Sequence, residues 1–473
     1  MAFWGALAFA AAAGIVLRVM ILTGPLGALE SDEAVSGLIA RHMLDGDFTP
    51  MYWLSPYGGT LESAVAAAVF AVVGSSVLAL KLTTLGVFIV AGVLTWRVGT
   101  RTVGPRAALV GAALYWVFPA YLVWWTTKAR AYYGMGVLLG LVVLLLVLRL
   151  RERDSRVDAA VLGLALGLGW WTTPGVVLIA LPALVWLVAR RPAILRLALF
   201  AVPGLVLGLA PWVAWNARNG WLSLEFGPGA GYTSTYAGRL EHLFVHVLPT
   251  WLGMRVPFSL EWVAGPLLGW AVVVPAIAAF VVALVRRKED GLEPLLVVAA
   301  AFPLLYAFST YTYYFAEPRY VVYVAPVLAL LLGRALATPL ATVVAVGFAV
   351  GLSILGLGRM EDDRLFQPDA VEGRPAGDLK PAIDRLEREG ERYVLADYWI
   401  AYRLSFESAE RIIATSTGFV RYQPYDLRVR ARDHPARVFG AESTVEQALR
   451  PRLLAAGYRR YRAGNWLVYV HPA

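Results

Sequence analysis

A long series of apolar segments restricts the fold of this chain more than any other feature of its sequence. An α-helix needs about 20 predominantly apolar residues to cross the hydrocarbon core of a bilayer. Hydrophobic residues make up 59% of the 473 positions, and charged residues make up only 16%. A water-soluble fold has too little interior for so much apolar surface. We therefore expect a mainly α-helical, polytopic membrane protein.

The apolar runs predict about eleven transmembrane helices together with interfacial helices. The runs lie near residues 3–23, 77–96, 107–125, 131–149, 159–173, 174–189, 197–215, 263–285, 294–315, 319–336 and 338–357. A further run at 61–74 is short for a crossing. If it is re-entrant or interfacial, all five basic clusters fall on one side of the membrane, as the positive-inside rule favours. The clusters are Arg97/Arg101/Arg106, Arg149/Arg151/Arg153/Arg156, Arg190/Arg191/Arg196, Arg286/Arg287/Lys288 and Arg334.

This topology predicts a cell-membrane protein whose N-terminus is cytoplasmic. The first apolar run has no convincing cleavage site after it, so we interpret it as a retained helix rather than a signal peptide. The acidic loop that follows it, the loop 216–262 and the C-terminal region then lie on the outer face.

Composition narrows the function further. The net charge of +9 arises in residues 1–359, which carry 24 basic and 16 acidic residues, whereas 360–473 carry 18 and 17. Basic residues in short loops indicate topology rather than nucleic-acid binding. The absence of cysteine excludes disulfides and thiol chemistry. Five scattered histidines make a metal site improbable, so we expect neither a metal nor another cofactor.

The composition changes at about residue 360, which divides the chain into a membrane domain at 1–359 and a soluble α/β domain at 360–473. Residues 378–390 predict an amphipathic helix that ends at Gly390. Further segments predict short strands and one more helix. These segments are RYVLA, RIIAT, RRYRAG and NWLVYVHP for strands and TVEQALRPRLLAAG for the helix. Asp397-Tyr398, at a strand end, fits either a binding site or a helix N-cap.

The acidic sequence Glu30-Ser31-Asp32-Glu33 follows the first apolar run directly. Acids at the mouth of a membrane span usually face water, a cation or a reacting group. A carboxylate there suits the base that takes a proton from an acceptor hydroxyl. The same acids also suit the start of the next helix, where they favour the positive end of the helix dipole. Both interpretations stay open from spacing alone.

Cations in two other outer segments suit a phosphate group. Lys128 and Arg130 lie between two spans, and Arg319 lies next to Pro318 at the entrance of a late span. Arg grips phosphate with two hydrogen bonds. The alternatives are contact with lipid headgroups for Arg130 and pairing with Glu317 for Arg319.

Further candidates lie in and near the loop 24–76. Tyr57 suits stacking on a sugar or anchoring in the interface. Glu62 suits a substrate contact or a helix start. Arg18, inside the first apolar run, is expected either to contact substrate or to pair with Asp32 or Glu30.

Together these motifs resemble the GT-C superfamily of membrane glycosyltransferases, in particular its protein-mannosyltransferase-like and lipid A aminoarabinose-transferase-like branch. The resemblance covers roughly residues 1–360 and rests on the following segments: the Asp32-Glu33 pair, ARHMLDGDF, YWLSPYGGTLES, RAYY at 130–133 and PRYVVYVAPVLAL. The chain departs from the aminoarabinose branch at Gly58–Glu62, where that branch has a lysine-proline pair. It also departs at Lys128–Tyr133, where that branch has an Asp.

The resemblance implies an inverting transferase that moves a sugar from a polyprenyl-phosphate donor to a glycan, lipid or protein acceptor at the outer face. It places the catalytic acid on Asp32, assisted by Glu33, in a catalytic outer loop at 24–76. Phosphate and sugar contacts are expected from Arg130, Lys128, Arg319, Tyr57, Tyr132, Glu62 and Arg18. The alternatives are a transporter or flippase of a lipid-linked anion and a non-catalytic scaffold for the C-terminal domain. Transporters often show paired halves with broken helices at mid-membrane, whereas this chain concentrates polar residues at one face.

Overall fold

Apolar helices dominate the computed structural model, which describes residues 1–225, 234–286, 291–362 and 377–472. In these ranges, six helices are long and apolar enough to cross a membrane. They are Ala2–Thr23, Val77–Thr102, Tyr133–Glu152, Pro192–Arg218, Pro266–Val285 and Pro339–Glu361. Shorter apolar helices lie between them, including Leu61–Val73 at the predicted short run. The number of crossings and their direction stay predictions, and Arg287 and Lys288 lie outside the described residues.

The membrane part contains helices α1 to α16. Their bounds are α1 Ala2–Thr23, α2 Ser31–Leu44, α3 Leu61–Val73, α4 Val77–Thr102, α5 Pro105–Val117, α6 Ala120–Trp125, α7 Tyr133–Glu152, α8 Arg156–Thr172, α9 Val177–Arg190, α10 Ala198–Arg218, α11 Tyr236–His242, α12 Leu248–Trp251, α13 Pro266–Arg286, α14 Glu293–Phe308, α15 Val321–Ala335 and α16 Pro339–Glu361. The predicted domain boundary near 360 falls at the end of α16, next to residues 363–376, which lie outside the described ranges.

The predicted single helix at 107–125 is wrong. Helix α5 ends at Val117 and α6 begins at Ala120. Pro119 lies at the break, because proline has no N–H to continue the helical hydrogen bonds and restricts the residue before it to extended backbone. After the break, the loop 126–132 lies in contact with the first turn of α2, where Lys128 and the N–H of Ala129 bind Glu33.

Small residues allow α8 and α10 to pack with their backbones in direct contact. A side chain at Gly163 would place its Cβ 1.9 Å from the carbonyl oxygen of Ala201, and one at Gly204 would lie 2.2 Å from that of Ala160. Membrane helices lack a hydrophobic driving force for association, so close van der Waals packing at small residues is what holds them together.

The C-terminal part forms a five-stranded sheet with helices packed against it. Its elements are α17 Lys380–Arg388, β1 Tyr393–Ala396, α18 Tyr398–Glu407, β2 Ile413–Ser416, α19 Gln423–Arg430, β3 Ala436–Gly440, α20 Thr444–Ala455, β4 Arg459–Ala463 and β5 Trp466–Val470. The strand order is β2-β1-β3-β5-β4. Strand β1 is parallel to β2 and β3, and β5 is antiparallel to β3 and β4. The expected mainly α-helical fold with a small C-terminal sheet is therefore confirmed. Helices α18 and α19 and strand β3 were not among the predicted elements.

Helix α2 packs directly against α18 of the C-terminal part. A Cβ at Gly37 would lie 2.5 Å from the ring of Phe406, so only glycine permits this approach. Phe406, Tyr402 and Tyr425 belong to the same apolar cluster as residues of α2, such as Leu38. The two parts therefore share one core around the acidic loop.

Candidate active site

The acidic sequence begins helix α2, as one of its two interpretations predicted. Asp32 and Glu33 lie in the first turn, where acids favour the helix dipole. The backbone N–H of Glu30 donates to Glu33 Oε2 over 3.2 Å, which satisfies a donor at the helix end. Neighbouring residues on a helix point to different faces, so Asp32 and Glu33 have different surroundings.

Glu33 is completely buried between two lysines. Lys81 Nζ lies 2.6 Å from Oε1, and Lys128 Nζ lies 3.3 Å from Oε2. The N–H of Ala129 also donates to Oε1 over 2.9 Å. Burial lowers the pKa of Lys128 to about 8, although the charge of Glu33 opposes that effect. The contacts of Glu33 tie α2, α4 and the loop 126–132 together.

Arg130 bridges two buried carboxylates. It contacts Glu30 in a forked arrangement, with Nη2 2.9 Å from Oε2, and it also contacts Glu317. Its guanidinium lies 4.6 Å from the ring centre of Trp125. Arg130 therefore does not point to lipid headgroups, which was one interpretation of the sequence. It links the acidic loop to the segment before α15.

Arg319 is the most accessible of the three cations expected to meet phosphate. Its side chain is 30% exposed, against 3% for Lys128 and 6% for Arg130. Glu317 lies 3.4 Å from its Nη2. The pairing that the sequence suggested is thus present, and part of the Arg319 side chain stays exposed beside it.

Tyrosines fill the space next to these charges. Tyr57 lies 6.2 Å from Tyr132 and 5.3 Å from Tyr311, ring centre to ring centre. Tyr132 stacks on Tyr133 at 5.0 Å. A Cβ at Gly58 would lie 2.1 Å from the ring of Tyr132, so the loop reaches these rings only because glycine has no side chain. We call Tyr57, Tyr132 and Tyr133 the tyrosine cluster.

Asp32 points away from the buried ion pairs and toward the C-terminal part. Its Oδ1 accepts a hydrogen bond from the Tyr398 hydroxyl and lies 3.3 Å from Arg421 Nη2. Its side chain is 29% exposed. Burial and the charge of Asp32 raise the pKa of Tyr398, so the phenol stays protonated and donates. Asp397, the neighbour of Tyr398, caps α18 by accepting from the N–H of Trp399, as the N-cap interpretation predicted.

Glu62 lies apart from this arrangement. It accepts hydrogen bonds from Thr84 at 2.8 Å and from the N–H of Met135 at 3.2 Å. It borders a small space of about 10 Å³ that is also lined by Ser36 and Ser63. Glu62 therefore stabilises the packing of α3 against α4 and α7.

Arg18 also lies apart, and the predicted pairing with Asp32 or Glu30 is wrong. Its guanidinium donates to Thr126 Oγ1 over 3.0 Å and to the carbonyl of Trp116 over 2.9 Å. It stacks 3.5 Å from the Trp116 ring centre. Arg18 faces α5 and α6 because it lies on the side of α1 that packs there.

Sequence reasoning missed two groups at the site. Lys81 interrupts the apolar run of α4, and an ionisable residue inside a span is itself a functional signal. Arg421 lies in a soluble segment rich in arginine and carried no such signal. Among the described residues, no cluster of three or more His, Asp or Glu side chains could hold a metal ion. Independence of the reaction from metals stays a prediction.

Fold and site together define a polytopic membrane protein with a charged, tyrosine-rich site between its apolar helices and its C-terminal sheet. No protein-family model and no curated protein sequence matches the chain. Solved structures do match. ArnT from Cupriavidus metallidurans, bound to undecaprenyl phosphate, has a TM-score of 0.67 at 15% identity, over 98% of both chains. The apo state of the same protein has a TM-score of 0.66 at 14% identity, over 99% of this chain and 98% of that one.

A second similar structure is the archaeal oligosaccharyltransferase AglB from Archaeoglobus fulgidus, in complex with an inhibitory peptide and a dolichol-phosphate. It has a TM-score of 0.54 at 13% identity, and the match covers 99% of this chain and 74% of AglB. At such low identities the likeness concerns the fold. The chain therefore has the same overall fold as these two proteins, and the expected mainly α-helical membrane fold is confirmed.

Proposed function

We propose that the chain is an inverting glycosyltransferase that moves one sugar from a polyprenyl-phosphate donor to an acceptor hydroxyl or amine at the outer face of the membrane. Two proteins of the same fold support a lipid-phosphate donor, since one was solved with undecaprenyl phosphate and the other with a dolichol-phosphate. The observation that carries the proposal is the placement of Asp32, a partly exposed carboxylate beside a buried, charged scaffold.

In this proposal Asp32 is the general base. The acceptor atom attacks the anomeric carbon and its proton passes to Asp32, while the bond from that carbon to the phosphate oxygen breaks. Polyprenyl phosphate leaves with the bonding electrons. A positioned general base contributes about 10²- to 10⁴-fold to such a step.

Arg319 is proposed to hold the phosphate, because it is the accessible cation and a guanidinium matches phosphate oxygens. Tyr57, the exposed member of the tyrosine cluster, is proposed to offer its ring to the sugar, while the buried Tyr132 and Tyr133 support it. Glu33 pairs with Lys128, and Arg130 pairs with Glu30 and Glu317. We therefore assign Glu33, Lys128 and Arg130 to positioning the loop rather than to substrate contact.

The test is transfer of radiolabelled sugar from a panel of polyprenyl-phosphate sugars by the purified protein, with membrane lipids, glycans and peptides as acceptors. We expect Asp32→Asn to reduce transfer at least about 100-fold. Asp45→Asn is the matched control, because it makes the same substitution at the exposed end of the same helix.

A folded Asp32→Asn protein with full transfer activity would contradict the assignment of the base. Absence of transfer from every donor, together with movement of lipid-linked anions across proteoliposomes, would support a transporter instead.

A further inference from the structure

The C-terminal part reaches into the site at Asp32. Tyr398 begins α18, and Arg421 lies in the loop before α19. Both contact the same oxygen, Oδ1, of a residue that is more than 360 positions away in the chain. In the described residues, Oδ2 of Asp32 has no hydrogen-bond partner.

All three nitrogens of the Arg421 guanidinium are used in this contact. Nη2 lies 3.3 Å from Asp32 Oδ1, Nη1 donates to Ser55 Oγ over 2.8 Å, and Nε donates to the Tyr398 hydroxyl over 3.1 Å. Ser55 belongs to the loop 24–76. One planar group thus fixes the base, the loop and the tyrosine in a single arrangement.

The charge state of both groups suits this task. Although burial by itself lowers the pKa of Arg421, the charge of Asp32 raises it above its usual range, so the guanidinium stays charged. Its side chain is only 15% exposed. Hydrogen bonds to a charged partner are stronger in such partly desolvated places than in water.

A second set of contacts holds the C-terminal part in place at the other end of α2. We call Arg41, His42, Glu410 and Tyr425 the latch. His42 Nε2 lies 2.9 Å from Glu410 Oε1, and Arg41 Nη1 lies 3.2 Å from Oε2. Tyr425 also donates to Glu410. The latch does not touch Asp32, so the contact at Asp32 is not needed to attach the two parts.

We propose that Tyr398 and Arg421 are positioning residues of the transferase, which hold Oδ1 of Asp32 and leave Oδ2 for the proton of the acceptor. The C-terminal part would then complete the catalytic site rather than only cover it. This inference rests on the proposed function and adds two residues to it.

The test compares steady-state transfer by wild type, Arg421→Gln, Arg421→Lys and Tyr398→Phe. We expect Arg421→Gln to lower kcat by about 10-fold or more with little change in donor KM, because it alters the orientation of the base and not donor binding. Arg421→Lys should recover part of the loss, since it restores a cation beside Asp32. In an Asp32→Asn background, Arg421→Gln should cause no further loss, because residues acting as a unit are not additive.

Tyr425→Phe is the matched control for Tyr398→Phe. Both remove one hydroxyl from the same interface, but only Tyr398 touches Asp32. We expect Tyr398→Phe to lower kcat and Tyr425→Phe to leave it within about twofold of wild type. Equal losses in both variants would show a merely structural role and overturn the inference. A folded Arg421→Gln protein with wild-type kcat would overturn it as well.

A measurement without substrate separates this inference from the proposed function. Thermal unfolding of wild type, Asp32→Asn, Arg421→Gln and the double variant forms a cycle that reports the coupling of the two side chains. Coupling together with an absence of transfer from any donor would remove the proposed function while keeping the contact. Measured transfer that Arg421→Gln does not alter would remove this inference and keep the function.

Discussion

Two neighbouring acids, Asp32 and Glu33, show how differently two regions of this molecule use charge. Glu33 is fully buried and held by Lys81 and Lys128, whereas Asp32 is 29% exposed and contacts Tyr398 and Arg421 across the interface with the C-terminal part. We call the surroundings of Glu33 the closed region, because its charges are buried and paired with one another. We call the surroundings of Asp32 the open region, because its carboxylate is partly exposed. Carboxylates in adjacent positions are thus buried on one face of the helix and partly exposed on another, and we propose a role in the reaction only for the exposed one.

Buried and exposed ion pairs also differ in how much they contribute to the free energy of unfolding. Removing one partner of a buried ion pair leaves an uncompensated charge in a medium of low polarity, at a cost of about 3–5 kcal/mol. Exposed pairs contribute only about 0.2–1 kcal/mol. Substitutions in the closed region should therefore affect mainly the free energy of unfolding, and those in the open region mainly turnover.

The largest effect on stability is expected from Arg130→Gln, because it leaves Glu30 and Glu317 without their shared cation. We expect a loss of about 3–5 kcal/mol in the free energy of unfolding, measured by denaturant titration in detergent. Arg101→Gln is the control, since it breaks a pair with Glu152 that is exposed. If both variants lose the same amount, the closed region is not a stabilising scaffold.

A smaller loss is expected from Lys81→Met, because Lys128 and the N–H of Ala129 still bind Glu33. We expect about 1–3 kcal/mol by the same titration. The loss in the Lys81→Met, Glu33→Gln double variant should be smaller than the sum of the two single losses, because Glu33→Gln alone leaves two buried lysines without their carboxylate and the double variant leaves only Lys128. Strict additivity of the two substitutions would contradict the pairing.

Arg319→Gln should change the donor KM much more than the free energy of unfolding, as expected for a partly exposed residue. The side chain is partly exposed, so we expect a change of less than about 1 kcal/mol in the free energy of unfolding. Loss of a charged hydrogen bond to phosphate should raise the donor KM about tenfold or more. Arg218→Gln, at the exposed end of α10, is the control for charge alone. An unchanged donor KM would exclude Arg319 from the phosphate contact.

The smallest effect concerns the pH dependence of the latch. Burial by itself raises the pKa of Glu410, but hydrogen bonds from His42 and Tyr425 lower it to about 2. A carboxylate whose folded pKa is lowered stabilises the fold above its unfolded pKa of about 4.3, and this contribution disappears as the pH falls from there through 2. Because Glu410 is partly exposed, we expect only about 1 kcal/mol.

Unfolding of wild type and Glu410→Gln at a series of pH values measures this contribution. The two proteins should differ near neutral pH, approach each other as the pH falls below about 4.3, and converge only below about pH 2. A difference that persists unchanged at low pH would show that packing, and not the charge of Glu410, holds the latch.

Local patterns sufficed for part of the site. The run of acids after an apolar helix predicted Asp32 and Glu33 as site residues. Positive charges between apolar runs predicted Lys128, Arg130 and Arg319. The residues that these side chains contact could not be predicted from local patterns. The sequence does not show that Arg18 faces Thr126 and Trp116 rather than an acid. It does not indicate Arg421 either, because a contact between residues 389 positions apart leaves no trace in spacing.

The sequence by itself determined the fold class and the place of the acidic loop, because apolar run length, helix-start acids and strand alternation are local properties that each segment carries alone. Only the tertiary structure decided which acid is buried and which is open. That decision depends on what packs against each face of α2. Lys81 and the loop 126–132 cover the face of Glu33, while Tyr398 and Arg421 meet the face of Asp32, and both sets of partners come from distant parts of the chain.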